Sequence, residues 1–110
     1  MELIRKLLSY WHPLTEKCGY ITLEDEAIEL ENVHTDPKHG FQFEEIPKGA
    51  VALWHTHPSG CSNLSVEDYH LFKSYPELLH VIIGHDTVSY YFVDVDGALS
   101  VSYTHLTLPT

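Results

Sequence analysis

Hydrophobic and polar residues follow two different periods along this chain, and the periods divide its first part into a helix and a hairpin. The apolar residues near the start lie three or four positions apart: Leu3, Ile4, Leu7, Leu8 and Trp11. This spacing predicts an amphipathic helix over residues 2–11, which ends before Pro13. The stretch CGYITLEDEAIELENV has two apolar runs around a Glu-Asp turn, which predicts a hairpin with strands near residues 18–23 and 27–33.

The middle and the end of the chain predict a buried strand, a second helix and three more strands. AVALWH is a continuous apolar run, typical of a central strand, and FQFEEIPKG before it predicts a short extended piece and a loop. SVEDYHLFKSY predicts a helix with Ser65 as N-cap, ended by Pro76. HVIIGH, VSYYFVDV and ALSVSY predict strands, with Asp96 and Gly97 as a two-residue turn.

This order of elements predicts an α+β fold, an α/β sandwich in which a mixed sheet is packed by an N-terminal helix and a central helix. The 110 residues suffice for one domain, expected over residues 1–100. The ending SYTHLTLPT lacks acidic residues and resembles translated adaptor sequence found at the end of some truncated reading frames. We therefore assign no function to the tail of doubtful origin, residues 101–110.

Composition narrows the classes of partner. Six Lys and Arg residues stand against sixteen Asp and Glu, for a formal net charge of −10, so phosphate backbones would be repelled and no nucleic-acid partner is expected. The N-terminal stretch lacks the features of a signal peptide, and no apolar run is long enough to cross a bilayer. Two cysteines without a CxxC spacing indicate no disulfide framework. A cytoplasmic protein without a membrane partner is expected.

The densest candidate chemistry lies in HTHPSGCSNLSVED, residues 55–68. On a strand, His55 and His57 point to the same side while Thr56 faces away, so two imidazoles can approach one metal ion. Such a pair is as often ordinary polar surface, because two histidines cannot close a tetrahedral site. A third ligand is needed to make the metal interpretation specific.

Ser65 and Asp68 offer that third ligand, although the two residues also have a simpler explanation. A Ser at the N-cap with an acid three residues later resembles a capping box, and taken alone this pair is better explained by capping. The loop PSGCSNL can nevertheless fold back and bring the helix start against the strand end with the histidines. The resulting nitrogen and oxygen ligands would suit zinc.

The same residues carry a resemblance to a known family. His-x-His, seven residues, Ser, two residues and Asp is similar to the signature of the JAMM (MPN, JAB) zinc metallopeptidases, and the resemblance covers about residues 11–99. It implies a JAB/MPN-like fold with a curved mixed sheet, one Zn²⁺ per chain held by His55, His57 and Asp68, and Ser65 as the group that stabilises the oxyanion. It also implies an upstream general base, here Glu16 in TEKCGY.

The acid beside Cys-Gly resembles the prokaryotic and phage branch, which includes tail-assembly peptidases. The resemblance implies hydrolysis of a peptide or isopeptide bond in a protein or peptide substrate, with phage tail proteins as candidate partners and the bacterial host cytoplasm as the location. Members of this kind often carry a second, cysteine-peptidase-like domain. The chain is too short for the two insertions of eukaryotic deubiquitinating members, which argues against ubiquitin chains as the substrate.

Several alternatives stay open at the level of sequence. The chain could be a non-catalytic MPN scaffold, or a RadC-like member as the HPSG stretch suggests, although the acidic balance and the Cys-Gly entrance argue against RadC. Cys18 and Cys61 have no partner spacing for a thiolate site. Rival general bases are Glu2, Glu24, Glu26, Glu29 and Glu31. The remaining histidines considered are expected at the surface or in a satisfied core: His12, His34, His39, His70, His80 and His85.

Overall fold

The computed structural model describes residues 2–36, 38, 40–42, 45–60 and 65–94, and the backbone of 99–105. Two helices and six strands make up this described part of the chain. In chain order they are α1 (Glu2–Ser9), β1 (Cys18–Thr22), β2 (Ala27–Leu30), β3 (Ala50–Thr56), α2 (Val66–Ser74), β4 (Leu79–Ile83), β5 (Thr87–Val93) and β6 (Leu99–His105).

The described strands form one mixed sheet in the order β2-β1-β3-β4-β5-β6. β3 and β4 are parallel and are joined through α2, whereas the other neighbouring strands are antiparallel. A parallel pair needs such a crossover, because a tight turn can connect only antiparallel strands. The predicted α+β fold with a mixed sheet and two helices is confirmed at this level.

The two helices lie on opposite faces of the sheet. Side chains alternate along a strand, so Val81 and Ile83 belong to one face while Ile82 belongs to the other. The first face joins the core cluster that includes Ile4 and Leu7 of α1. The opposite face holds a second cluster, made of Phe72 from α2 together with Ile82 and Tyr91.

The centre of the first face is built around Trp54, whose position explains a glycine in β1. Trp54 pairs across the strands with Gly19, and a Cβ on Gly19 would collide with the indole ring and with the Ile28 carbonyl. Tyr10 stacks on the same indole, with ring centroids 4.5 Å apart. Only glycine leaves room for this close approach.

Several predicted boundaries shift. α1 ends at Ser9 rather than at residue 11, and its last residues continue as turns in which the Tyr10 and Trp11 amides donate to carbonyls three residues back. The described residues among 41–49 form no strand, and residues 43 and 44 of the predicted extended piece lie outside the described residues. β6 runs across the boundary predicted between residues 100 and 101. The predicted Asp96-Gly97 turn lies outside the described residues.

Neither of the two described helices combines the length and the apolar character needed to cross a bilayer.

Candidate metal centre

Both histidines lie at one end of the sheet, His55 within β3 and His57 just after it. His55 pairs with Cys18 of β1 on one side and with Ile82 of β4 on the other, and it is 2% exposed. His57 lies one residue beyond the end of β3, where its amide donates to the Ile83 carbonyl at 2.9 Å. The strand period therefore brings both imidazoles to the same face, as the sequence predicts.

α2 supplies the third member from its first turn. Asp68 is 5% exposed, and its Oδ1 lies 2.8 Å from Nε2 of His55 while its Oδ2 lies 3.1 Å from Nε2 of His57. The two Nε2 atoms are 3.2 Å apart. These three side chains form a group that could hold a metal ion, with one candidate ligand atom from each.

The spacing of these atoms fits the demands of a small divalent cation. Zinc bound at about 2.0–2.1 Å in a tetrahedral site places its ligand atoms about 3.3 Å from one another. Each Nε2 lies 2.8 or 3.1 Å from a different oxygen of Asp68 and the two Nε2 atoms are 3.2 Å apart, so one ligand atom from each residue lies within 4.8 Å of the others. Two imidazoles and one carboxylate are also a donor set that zinc accepts.

Protonation favours the same interpretation. Burial lowers the pKa of His55 and outweighs the opposing hydrogen bond to Asp68, so the imidazole is neutral and its nitrogen can act as a ligand. Burial would raise the pKa of Asp68, but hydrogen bonds from both histidines hold it well below its usual range. His55 and Asp68 thus have the charge states that a metal site requires.

Ser65 and Asp68 form the capping box as well. The Asp68 amide donates to Ser65 Oγ at 3.1 Å, and the Ser65 amide donates to Asp68 Oδ2 at 3.0 Å. In the sequence, capping and metal binding are alternative explanations of Asp68, whereas in the structure the carboxylate that completes the capping box also belongs to the group that could hold a metal ion. The cap also fixes the orientation of Asp68, because one of its oxygens is held by the Ser65 amide.

Glu16 reaches the same cleft from the entrance to β1. Continuing the register of Cys18 and His55 by two residues places Glu16 opposite His57. The Thr56 amide donates to the Lys17 carbonyl and extends the ladder in that direction, and the Lys17 amide donates to Thr56 Oγ1, each at 2.9 Å. Burial raises the pKa of Glu16, and the nearby His57 partly counters that effect.

The centre opens into a cleft of about 910 Å³. Glu16, Ser65, His57 and Asp68 all line it. The rival glutamates do not belong to the described lining, and those of the β1–β2 hairpin are exposed: Glu24, Glu26 and Glu29.

Sequence reasoning missed several residues of the cleft. Phe41 stacks on the imidazole of His55 with ring centroids 4.4 Å apart, and His34 and Lys38 contribute to the same lining. His34 was expected at the surface or in a satisfied core. No local pattern in the sequence pointed to these residues, because they belong to the connection between β2 and β3 and approach the site only through the fold.

The remaining candidates are not members of the metal group or lie outside the described chain. Cys18 pairs with His55 but is fully buried, and burial raises the pKa of its thiol to about 12, so it is not a thiolate ligand or nucleophile at neutral pH. Cys61 and His39 lie outside the described residues. His80 is buried as a core histidine; its Nε2 is bonded to the Tyr75 carbonyl at 2.9 Å, while its Nδ1 has no hydrogen-bond partner among the described residues.

Neither the protein-family models nor the curated proteins that were searched gave a match.

Proposed function

We propose that this chain is a zinc-dependent metallopeptidase of the JAMM type with a JAB/MPN-like fold. The single observation that supports this most is the convergence of His55, His57 and Asp68, which bring one candidate ligand atom each to within 4.8 Å of one another. A structural ion pair would explain one histidine beside an aspartate. Two imidazole nitrogens and a carboxylate in contact, beside an open cleft with a further acid, favour a metal centre.

His55 and His57 would hold the ion through Nε2, and Asp68 through the carboxylate that the Ser65 amide orients. Zinc in such a site keeps a position for water, makes that water more acidic and polarises a carbonyl. The protein residues around it then have to move a proton and to meet the charge that develops on the carbonyl oxygen.

Glu16 is the residue we assign to proton transfer. It would accept a proton from the attacking water and donate it to the amine that leaves when the amide bond breaks. Burial raises the pKa of Glu16, which makes its carboxylate a stronger base toward the attacking water. The backbone beside it is held in place, since its own carbonyl accepts from Asn32 Nδ2 at 2.8 Å.

Ser65 is the residue we assign to the oxyanion. Its Oγ already accepts from the Asp68 amide, so the hydroxyl oxygen has a fixed position at the helix start. The hydroxyl hydrogen can donate to a substrate carbonyl oxygen as negative charge builds up there. A preoriented donor of this kind lowers the energy of the transition state more than that of the bound substrate.

The substrate class is a peptide or isopeptide bond in a protein, and the resemblance around TEKCGY favours phage or prophage tail assembly. The open cleft suits a polypeptide segment more than a small enclosed ligand. The competing hypothesis is a non-catalytic scaffold of the same fold, in which the cleft binds a partner without cleaving it.

One substitution separates the enzyme from the scaffold. Glu16→Gln keeps the shape of the side chain, leaves the metal ligands in place and removes the general base, a change worth about 10²–10⁴ in rate. We expect a folded, zinc-loaded and nearly inactive protein. Zinc content is measured by elemental analysis, and cleavage of peptides or of neighbouring tail-protein precursors is followed by mass spectrometry. The matched control is Glu31→Gln, an exposed glutamate in the connection after β2.

The outcomes distinguish the hypotheses. Zinc in wild type with cleavage that Glu16→Gln abolishes supports the proposal. A wild type that binds a tail protein tightly and cleaves none of the candidates favours the scaffold. Wild-type cleavage by Glu16→Gln shows that another residue is the base, and a wild type that binds no zinc contradicts the metallopeptidase assignment.

A further inference from the structure

Trp11 connects the N-terminal helix to the candidate metal centre through a single hydrogen bond. It follows the end of α1, is half-buried, and its indole Nε1 donates to the backbone carbonyl of His57 at 2.7 Å. The two residues are 46 positions apart in sequence. A short bond over such a separation joins two parts of the fold that no sheet ladder connects.

The residues around this hydrogen bond also contact one another. The His57 carbonyl also accepts from the Gly60 amide, and the Gly60 carbonyl accepts from the His85 amide, both at 2.9 Å. The His85 ring in turn meets Trp11 edge-on, with centroids 4.8 Å apart and planes at 73°. Trp11 therefore contacts the turn of residues 57–60 that follows β3, and its hydrogen bond is made to the peptide group of His57, a candidate ligand.

The two histidines differ in how much support they receive from the sheet. The His55 side chain is 3% exposed, paired on both sides within β3 and stacked against Phe41. The His57 side chain is 16% exposed and lies beyond the last residue of β3. Because a metal ligand must be held to within about 0.5 Å, His57 needs a restraint that β3 does not supply.

We propose that Trp11 is a positioning residue for the metal centre, which fixes the peptide group of His57 and thereby the direction of its imidazole. The inference rests on the proposed metal site, but it concerns a residue outside the metal-binding motif. Its physical basis is that the indole N–H restrains rotation of the His57 peptide plane, so the imidazole is preorganised before the metal binds. Preorganisation raises affinity without adding any contact to the ion.

The test compares the two tryptophans of the chain. Trp11→Phe keeps an aromatic ring and removes the hydrogen bond to His57. Trp54→Phe is the matched control, because its indole also donates to a backbone carbonyl, that of Tyr20 at 3.2 Å, but this acceptor is not at the metal group. Zinc affinity is measured by competition with a chromophoric chelator, and the ligand geometry by the visible absorption of the Co²⁺-substituted protein.

We expect Trp11→Phe to bind zinc about three- to tenfold more weakly, the range that one net hydrogen bond of about 0.5–1.5 kcal/mol allows. Its Co²⁺ spectrum should shift, because the His57 imidazole no longer has one fixed direction. Trp54→Phe should lower the stability of the metal-free protein and leave zinc affinity and the Co²⁺ spectrum as in wild type. A purely structural role for Trp11 would change thermal stability alone.

The results that overturn the inference are separate from those that overturn the metal site. Wild type without zinc binding contradicts the proposed metallopeptidase before any variant is compared. Wild-type affinity and an unchanged Co²⁺ spectrum in Trp11→Phe contradict the positioning role while leaving the metal site intact. Should Trp11→Phe fail to fold, replacement of Trp11 by 3-benzothienylalanine keeps the bicyclic shape, removes only the N–H, and decides the question by the same two measurements.

Discussion

The two helices cover opposite faces of one sheet with very different chemistry. α1 buries Ile4 and Leu7, which are both aliphatic, whereas α2 buries Phe72 and the carboxylate Asp68. A buried carboxylate is unfavourable unless it is hydrogen-bonded or paired, and Asp68 has the Ser65 amide and two imidazoles as partners. α1 therefore stabilises the sheet by apolar burial, while α2 gives up part of that contribution to build a polar group at the cleft.

This difference predicts that substitutions on the two faces of the sheet affect different properties: metal affinity on one face and the free energy of unfolding on the other. Changes at the polar group that α2 contributes to should act on metal binding, and changes of the aliphatic residues of α1 on the free energy of unfolding. The hydrogen bond from Trp11 to His57 is the proposed exception, because it joins the segment of chain that follows α1 to a candidate metal ligand.

The largest expected effect is on metal binding, from His57→Ala. One of three protein ligands is lost, so stoichiometric zinc binding should be abolished, and cleavage should be lost with it. Zinc content per chain after gel filtration, together with a competition assay, measures this. His70→Ala is the matched control, since His70 is exposed on α2 and outside the metal group. Equal zinc content in wild type and His57→Ala would show that the ligand assignment is wrong.

The next effect is on stability, from Leu7→Ala on the α1 side. Leu7 is fully buried, so truncation should lower the free energy of unfolding by about 2–5 kcal/mol through lost burial and a residual cavity. Urea denaturation of the metal-free protein measures the change. Leu14→Ala, at a residue that is 62% exposed, should stay within about 0.5 kcal/mol of wild type. Zinc affinity of folded Leu7→Ala should equal that of wild type. A large loss of affinity would contradict the proposal that the two faces of the sheet affect different properties.

The parts of the molecule that local pattern encodes were predictable. The three- and four-residue spacing in α1, the continuous apolar run in β3 and the N-cap at Ser65 depend on neighbours within one element, and each appears near its predicted place. The same holds for the candidate metal group, because the two-residue period of a strand places His55 and His57 on the same face. The spacing to Asp68 required a loop to fold back, and the capped start of α2 then orients its carboxylate.

Contacts between distant segments were not predictable. Trp11 belongs to the apolar stripe expected for the first helix, yet the structure ends α1 at Ser9 and turns the indole toward His57. Phe41 stacks on His55 from the connection between β2 and β3, where only an extended piece was expected. Periodicity describes which side of an element a residue faces, but it does not say which loop covers that side.

The smallest expected effect is a pH dependence of stability that arises on the α2 side, at His80. This side chain is 1% exposed and stacks on Phe72 with centroids 4.3 Å apart. Burial lowers the pKa of His80, and the hydrogen bond to the Tyr75 carbonyl only partly opposes this. The unfolded chain, with a histidine pKa near 6.5, therefore binds more protons than the folded chain as the pH falls below that value. Stability is fully present above about pH 6.5 and declines below it, by at most about 1.4 kcal/mol per pH unit for one group.

His80→Gln isolates this contribution. Glutamine retains an amide N–H that can donate to the Tyr75 carbonyl, but it does not titrate. Urea denaturation of metal-free wild type and His80→Gln between pH 7.5 and 5 should therefore show a shallower decline in the variant. The buried His55 titrates in the same direction and stays in both proteins, so the decline should be reduced and not removed. Leu7→Ala, on the opposite face, should lower stability by the same amount at each pH. Parallel curves for wild type and His80→Gln would mean that His80 does not contribute, and that the pH dependence on this side of the sheet belongs to the metal group alone.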